Sequence, residues 1–301
     1  MRATGFRPVR LADGARIVLK VGSSSLTRPD GGLDLNRIDI VAGLVAGLRE
    51  RGHDVVLVSS GAVAAGLVPL GMTERPGELR LLQAAASVGQ GHLVSRWQTA
   101  MSAYGVVTAQ VLLTAQDVAV RTHYRTVRAT FDALLSMGVV PIVNENDTVA
   151  VDELKFGDND RLSAMVACNS EANLLIILSD IDGLYDADPR RNPDARLIPE
   201  VATITEAMEA NSTTKGSSMS SGGMATKLAA ARITMSNGIP MVIASSDERS
   251  AVRRIAGGEP LGTFFVPSRE GYAARRQWLA VGSTPRGILR VDPGAERALL
   301  H

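Results

Sequence analysis

The stretch GVVPIVNEND at residues 138–147 indicates the fold class, because an apolar, β-rich run ends there in four polar residues. Four further runs of the same kind lie at Arg16–Val21, Asp54–Val58, Asn173–Leu178 and Pro240–Ala244. Between these runs, helical patterns of apolar residues lie at Leu35–Leu48, Leu81–Met101 and Val118–Met137. Strands that are almost continuously apolar and alternate with helices predict an α/β fold, in which helices cover both faces of an open, mostly parallel sheet.

The residues that follow these strands indicate where a ligand binds. The strand ends carry Gly22, SSG at 59–61, NEND at 144–147 and Ser179-Asp180. In open sheets of this type, ligands bind outside the carboxyl ends of the strands. The sequence therefore predicts a binding site at this edge of the sheet.

The composition excludes several functional classes. A net charge of +1 and 4% aromatic residues predict neither a nucleic-acid partner nor an anionic membrane partner. The first 20 residues lack an apolar signal segment, and the longest apolar runs are too short to span a bilayer. The single cysteine, Cys168, excludes an intramolecular disulfide, fits a reducing cytoplasm and is expected in the core.

Lys20 is the next-to-last residue of a strand that otherwise reads as buried. A buried ammonium is costly unless it meets a negative ligand, so Lys20 is a candidate phosphate contact. Gly22, two residues later, allows backbone N–H groups to approach a phosphate. The alternative is an ordinary lysine at a strand terminus.

The run GGMATK at 222–227 opens another predicted helix, so its glycines and Lys227 form a candidate anion site. It is not a Walker A motif, which has a different glycine spacing. The alternative is a plain flexible loop before a helix, since residues 211–223 are rich in Ser, Thr and Gly.

The run GDND at 157–160 also precedes a helical pattern. Asp158 is a good N-cap, and first-turn carboxylates are favoured by the helix dipole, which explains one or two of these residues structurally. It does not explain NEND at 144–147. Two such clusters close together favour a pocket for a small, polar, charged substrate or its metal.

The serines at 59–60 allow the alternative of a serine nucleophile, but the Gly-x-Ser-x-Gly elbow is absent. We interpret Ser60 as a hydrogen-bonding group and Gly61 as a residue that allows close approach of a ligand.

No histidine or cysteine pair has metal-ligand spacing. The run SDIDG at 179–183 resembles the start of a calcium loop but lacks its later ligands, and reads better as a nucleotide- or magnesium-side loop.

Taken together, six ordered motifs closely resemble those of the glutamate 5-kinase family in the amino-acid kinase superfamily, over about residues 16–291. The motifs are VLKVGSSSLT at 18–27, SSGAVAAG at 59–66, NENDTV at 144–149, FGDND at 156–160, SDIDGLY at 179–185 and GGMATK at 222–227. The resemblance implies an αβα sandwich and ATP-dependent phosphorylation of the γ-carboxylate of L-glutamate, the first step of proline synthesis.

The resemblance also implies roles for individual residues. Lys20 and Lys227 are expected to contact the transferring phosphoryl group, and Asp160 to orient both lysines. The expected glutamate-binding residues are Ser60, Gly61, Asp147 and Asn159. The expected nucleotide-binding residues are Lys20, Gly22, Ser179, Asp180, Ser221, Gly222, Gly223, Met224, Ala225, Thr226 and Lys227. The resemblance also implies that the protein uses Mg²⁺, for which no protein ligand is assigned. It further implies feedback inhibition by proline and a homodimer or homotetramer.

Two features depart from the family pattern. Ser220-Ser221 stand where relatives usually have Gly-Thr, which restricts the backbone of the loop and affects how it closes on phosphate. We expect the kinase domain at residues 1–267, followed by a linker and a strand at 287–292. This strand either pairs with the main sheet or begins a PUA domain, which many relatives contain.

Two functional alternatives remain: a catalytically silent nucleotide or proline sensor, and a sibling kinase for carbamate, N-acetylglutamate or aspartate.

Overall fold

Eight strands form one sheet in the computed structural model, which describes residues 11–28, 31–150, 159–212 and 223–268, with 292 and 294. The strands are β1 (Arg16–Val21), β2 (Asp54–Ser59), β3 (Thr108–Leu113), β4 (Val140–Glu145), β5 (Leu174–Ser179), β6 (Glu200–Val201), β7 (Met241–Ser245) and β8 (Thr263–Phe265). Their order is β3-β4-β2-β1-β5-β7-β8-β6, and every pairing is parallel except that of β7 with β8. The predicted mostly parallel sheet is confirmed.

Helices cover both faces of this sheet. One layer contains α1 (Leu35–Glu50), α2 (Ala62–Leu67), α3 (Leu79–Ser102) and α9 (Ala251–Ala256). The other contains α4 (Ala115–Ala119), α5 (Arg121–Ser136), α6 (Asn159–Asn169), α7 (Glu206–Ser212) and α8 (Met224–Ser236). The αβα sandwich is thereby confirmed. Within the described residues, no helix is both long enough and apolar enough to cross a bilayer.

The strands are apolar throughout because both of their faces are covered. In β1, Ile17, Leu19 and Val21 pack into the first layer, while Val18 packs into the second. Successive side chains of a strand point to opposite faces, so Lys20 lies on the same face as Val18. It therefore points toward the layer that contains α6 and α8.

The five predicted strands are present, each with ends within two residues of the prediction. The helix predicted at Val118–Met137 is instead two helices, α4 and α5, separated by extended Val120. Two residues of the predicted loop at 211–223, Asn211 and Ser212, belong to the end of α7. The predicted strand at 287–292 lies outside the described residues except for Asp292.

Every residue of helix α6 except the half-buried Arg161 is buried, including Cys168. Burial raises the pKa of the Cys168 thiol to about 12, so the group is a neutral, apolar packing element at physiological pH. The prediction that Cys168 belongs to the core is confirmed. Because the rest of α6 is buried, its first turn packs against the sheet with only Arg161 partly exposed.

Helices α2 and α3 touch through their backbones at two glycines. A Cβ atom on Gly66 would lie 1.9 Å from the carbonyl oxygen of Ala85, and one on Gly89 would lie 1.8 Å from that of Ala62. Only glycine allows this approach. Gly61, which precedes α2, has φ of 107°, a left-handed conformation that also favours glycine. The loop after β2 is therefore fixed by backbone contacts.

We predict that Gly89→Ala lowers the free energy of unfolding by about 3 kcal/mol, because the new methyl group collides with rigid backbone. Urea denaturation measures this change. Gly91→Ala on the same helix is the matched control: a Cβ there meets nothing within 4 Å, and alanine favours the helix by about 1 kcal/mol. Equal effects of the two substitutions would contradict the close contact.

Candidate active site

The candidate site lies at the carboxyl edge of the sheet, where the strand order changes direction. The chain runs from β1 to β2 on one side, and later places β5 on the other side of β1. Such a switch point leaves a crevice between neighbouring strand ends. Gly22 follows β1 at this crevice, and a Cβ on it would lie 3.5 Å from Lys20 Nζ and 3.9 Å from the carbonyl oxygen of Leu178. A Cβ would make ordinary van der Waals contacts there, so glycine leaves open a small space that a side chain would fill.

Three charged side chains meet beside this crevice. Lys20 Nζ lies 2.5 Å from Asp160 Oδ1, and Lys227 Nζ lies 3.1 Å from Asp160 Oδ2. All three residues are buried, with exposed fractions of 2% for Lys20, 0% for Asp160 and 5% for Lys227. The structure thus brings together the three residues that the sequence singled out as catalytic candidates.

Each member of this charged cluster comes from a different element. Lys20 is on β1, Asp160 is in the first turn of α6, and Lys227 is in the first turns of α8. The hydroxyl of Thr226 lies 2.9 Å from Asp160 Oδ2 and 2.8 Å from the Gly223 carbonyl oxygen, so its proton can serve either acceptor. The start of α8 is thereby tied to α6 by a hydroxyl as well as by an ion pair.

The cluster contains two ammonium groups and one carboxylate, so its own charges sum to one positive charge. Taking ions out of water is unfavourable unless opposite charges compensate them. An anion placed beside the two lysines is attracted by both ammonium groups. The arrangement is therefore suited to an anionic ligand such as a phosphoryl group.

Polar side chains from β2, β4 and α6 form a second group at the same edge. Asn159 Nδ2 lies 2.8 Å from Ser60 Oγ, 2.8 Å from Asn144 Oδ1 and 3.1 Å from the Ser59 carbonyl oxygen. Because Asn159 and Asp160 are adjacent, this amide group and the charged cluster share the first turn of α6. Two of the predicted substrate-binding residues, Ser60 and Asn159, are thus in direct contact.

Other predicted residues lie at the same edge of the sheet. Asp147 is half-buried in the turn that follows β4, and Gly61 is the residue before α2. Ser179 ends β5, and its hydroxyl donates to Asp180 Oδ1 at 3.0 Å. Arg190 lies 3.5 Å from the other oxygen of Asp180.

The predicted nucleotide loop is described only in part. Gly223 precedes α8, and Met224, Ala225 and Thr226 form its first turn. The N-cap residue Gly223 has no side chain with which to cap this helix. The backbone N–H groups of a first helical turn are suited to bind an anion. Ser221, Gly222, Asp158 and the loop with Lys155 and Phe156 lie outside the described residues.

Two residues that hydrogen-bond to this site were not predicted from the sequence. Gln90 on α3 accepts a hydrogen bond from Asn144 Nδ2 at 2.8 Å, and Trp97 on the same helix donates to Ser59 Oγ at 2.9 Å. Both lie on the helix that contacts α2 through glycine. Nothing in their local sequence distinguishes them from ordinary helix residues.

Comparison with known proteins agrees with this geometry. The sequence pattern of the amino acid kinase family matches residues 15–245. This chain belongs to the amino acid kinase family. Relatives named glutamate 5-kinase include that of Pelobacter propionicus, 46% identical over 100% of this chain and 79% of its own length. Those of Carboxydothermus hydrogenoformans and Streptomyces coelicolor are 50% and 48% identical, over 94% and 97% of this chain and 76% and 77% of their own lengths.

Solved structures show the same fold at lower identity. An isopentenyl phosphate kinase superposes with a TM-score of 0.60 at 18% identity, over 83% of this chain and 100% of its own. The product complex of the T. acidophilum isopentenyl phosphate kinase gives 0.56 at 18% identity, over 83% of this chain and 99% of its own. These similarities establish the architecture and carry no information about the substrate of this member of the family.

We predict that Asp160→Asn lowers the free energy of unfolding by about 3–5 kcal/mol, because it leaves two buried ammonium groups without their carboxylate. Urea denaturation at pH 7 measures the change. Asp132→Asn is the matched control, since Asp132 pairs with Arg16 at 3.0 Å but its side chain is 49% exposed. It is expected to cost less than about 1 kcal/mol. Similar losses in the free energy of unfolding for the two variants would show that the buried lysines do not depend on the carboxylate of Asp160.

Proposed function

We propose that this chain transfers the γ-phosphoryl group of ATP to the γ-carboxylate of L-glutamate, forming γ-glutamyl phosphate and ADP in the first step of proline synthesis. The observation that carries this proposal is the buried Lys20–Asp160–Lys227 cluster, which lies next to the hydrogen-bonded side chains of Ser60 and Asn159. Relatives at 46–50% identity, named glutamate 5-kinase, support the choice of glutamate.

The chemistry needs no general base. The acceptor carboxylate of glutamate has a pKa of about 4.3 and is ionised at neutral pH. One of its oxygens forms a bond to the γ-phosphorus while the bond from that phosphorus to the bridging oxygen of ADP breaks. The enzyme must bring two anions together and stabilise the charge on the phosphoryl oxygens, which positioned lysines can do.

We assign Lys20 and Lys227 to the transferring phosphoryl group, since both ammonium groups are buried at the same carboxylate. Asp160 is assigned to hold the two lysines in place. Both of its oxygens already face ammonium groups, which makes it poorly suited to accept a proton during turnover. Ser60, Asn159, Gly61 and Asp147 are assigned to glutamate, with Asp147 suited to its ammonium group.

ATP is assigned to the neighbouring side of the crevice. Gly22, Ser179, Asp180 and the start of α8 offer backbone N–H groups and hydroxyls there, and the loop with Ser221 and Gly222 is proposed to complete it. Mg²⁺ usually reaches such sites with the nucleotide phosphates, through few protein carboxylates. No group of three metal-ligating side chains occurs in the part of the chain that is described, and none is required for this mode of binding.

Proline feedback, homo-oligomerisation and a cytoplasmic location are proposed on the strength of the family. The division at residue 267 into a kinase domain and a C-terminal segment is also retained as a proposal. A proline inhibitor fits the same assignment, since proline resembles glutamate in its α-carboxylate and its charged nitrogen.

Trapping of the acyl phosphate by hydroxylamine tests the reaction. With ATP, Mg²⁺ and L-glutamate, we expect γ-glutamyl hydroxamate to form, with aspartate and N-acetylglutamate as control acceptors. Product with another acid in preference to glutamate would identify a sibling kinase. No product with any acid, in a protein whose melting temperature rises with ATP, would favour the silent sensor and implicate Ser220-Ser221.

Two substitutions are expected to separate chemistry from binding. Lys227→Ala should lower kcat by at least about 10³-fold, because charge stabilisation in the transition state is lost, while glutamate binding changes little. Asp147→Ala should chiefly raise the glutamate KM, about tenfold or more, by removing the partner of the substrate ammonium. Steady-state kinetics and glutamate titration measure both. Equal losses of glutamate binding in the two variants would contradict the assigned roles.

A further inference from the structure

We propose that Gln90 of α3 is a positioning residue that determines which atom of the Asn159 side chain faces glutamate. This inference rests on the proposed function and adds a residue that no motif in the sequence indicated. It concerns the direction of a side-chain amide, whose nitrogen donates and whose oxygen accepts hydrogen bonds. A reversed amide presents the wrong group to a substrate.

The amide nitrogen of Asn159 faces the protein. Three acceptors surround it, namely Ser60 Oγ, Asn144 Oδ1 and the Ser59 carbonyl oxygen, all within 3.1 Å. An amide nitrogen has two hydrogens, so these three acceptors take up all the hydrogen bonds that Asn159 Nδ2 can donate. Asn159 Oδ1 has no hydrogen-bond partner among the residues that the structure describes, which leaves it as an acceptor at the site.

Asn144 must itself be oriented for this arrangement to hold. A reversed Asn144 would place its nitrogen against the nitrogen of Asn159, and two donors would then face each other. Asn144 is only 3% exposed, so water cannot readily satisfy the wrong orientation. The residue that orients Asn144 is Gln90, whose Oε1 accepts from Asn144 Nδ2 at 2.8 Å and holds Asn144 Oδ1 toward Asn159.

The orientations of the side-chain amides of Gln90, Asn144 and Asn159 have a direct chemical consequence. Ser60 Oγ accepts from Asn159, so the hydroxyl hydrogen of Ser60 is left to donate. Asn159 and Ser60 together then offer an acceptor, Asn159 Oδ1, and a donor, the Ser60 hydroxyl, in addition to the carboxylate of Asp147. This pair matches an amino acid, which brings an ammonium group to the acceptor and a carboxylate to the donor.

The position of Gln90 is well defined because its neighbour in sequence is Gly89. Gly89 packs against the backbone of α2, directly after the loop that contains Ser60. Gln90 and Ser60 are therefore held relative to each other by backbone contact. The donation from Trp97 to Ser59 Oγ adds a second link between α3 and this loop.

The test compares Gln90→Met with Gln98→Met. Methionine keeps the length and unbranched shape of glutamine but removes the amide acceptor, and Gln98 is exposed on the same helix. We expect Gln90→Met to raise the glutamate KM about tenfold, while kcat and the ATP KM stay within about twofold. Gln98→Met should change none of them. An unchanged glutamate KM, or parallel losses in all three constants, would overturn the proposal.

A double-mutant cycle tests whether Gln90 acts through Asn159. In an Asn159→Ala background there is no amide to orient, so adding Gln90→Met should leave the glutamate KM where Asn159→Ala has put it. A further tenfold rise in that background would show that Gln90 acts by another route. If the wild-type protein forms no hydroxamate with glutamate, the proposed function itself fails. An active wild type that is indifferent to Gln90→Met overturns only this inference.

Discussion

The rest of the site depends on the compensation of two buried ammonium groups by one carboxylate. Ions removed from water are tolerated only when their partners are close and well placed, and here Asp160 meets Lys20 and Lys227 on its two oxygens. Because these residues belong to β1, α6 and α8, a shift of either helix would separate buried charges. The electrostatic requirement therefore fixes the geometry of the layer that is proposed to carry the chemistry. The largely buried α6 connects this cluster to the side chains of Ser60 and Asn144, which contact Asn159.

Much of the fold was predictable because its central strands are covered on both faces, so β1, β2, β4, β5 and β7 appear as continuous apolar runs. The strands that escaped prediction lack that signal. β3 is at the edge and only half-buried, while β6 and β8 have two and three residues, too few for any pattern. The division between α4 and α5 at the extended Val120 has no glycine or proline to mark it.

The candidate site was predictable to the extent that its residues stand at strand ends or helix starts. Lys20, Asn159, Asp160 and Lys227 were found in this way, since a charge or amide next to apolar runs needs an explanation. Gln90 gave no such signal, because it lies within a helix and its importance depends on a contact with Asn144, 54 residues away. The glycine contact between α2 and α3 was hidden for the same reason: alanine or glycine is unremarkable in a helix until the partner backbone is known.

The central place of β1 in the sheet has a consequence for biosynthesis on the ribosome. β1 leaves the ribosome before the other seven described strands, yet one of its two neighbours, β5, and the helices that enclose Lys20 are made much later. The growing chain must therefore keep its first strand available, with the lysine still hydrated, while more than half of the sequence is translated. Until Lys227 has emerged, the polypeptide lacks one member of the charged cluster, so an unfinished chain cannot carry out the proposed phosphoryl transfer.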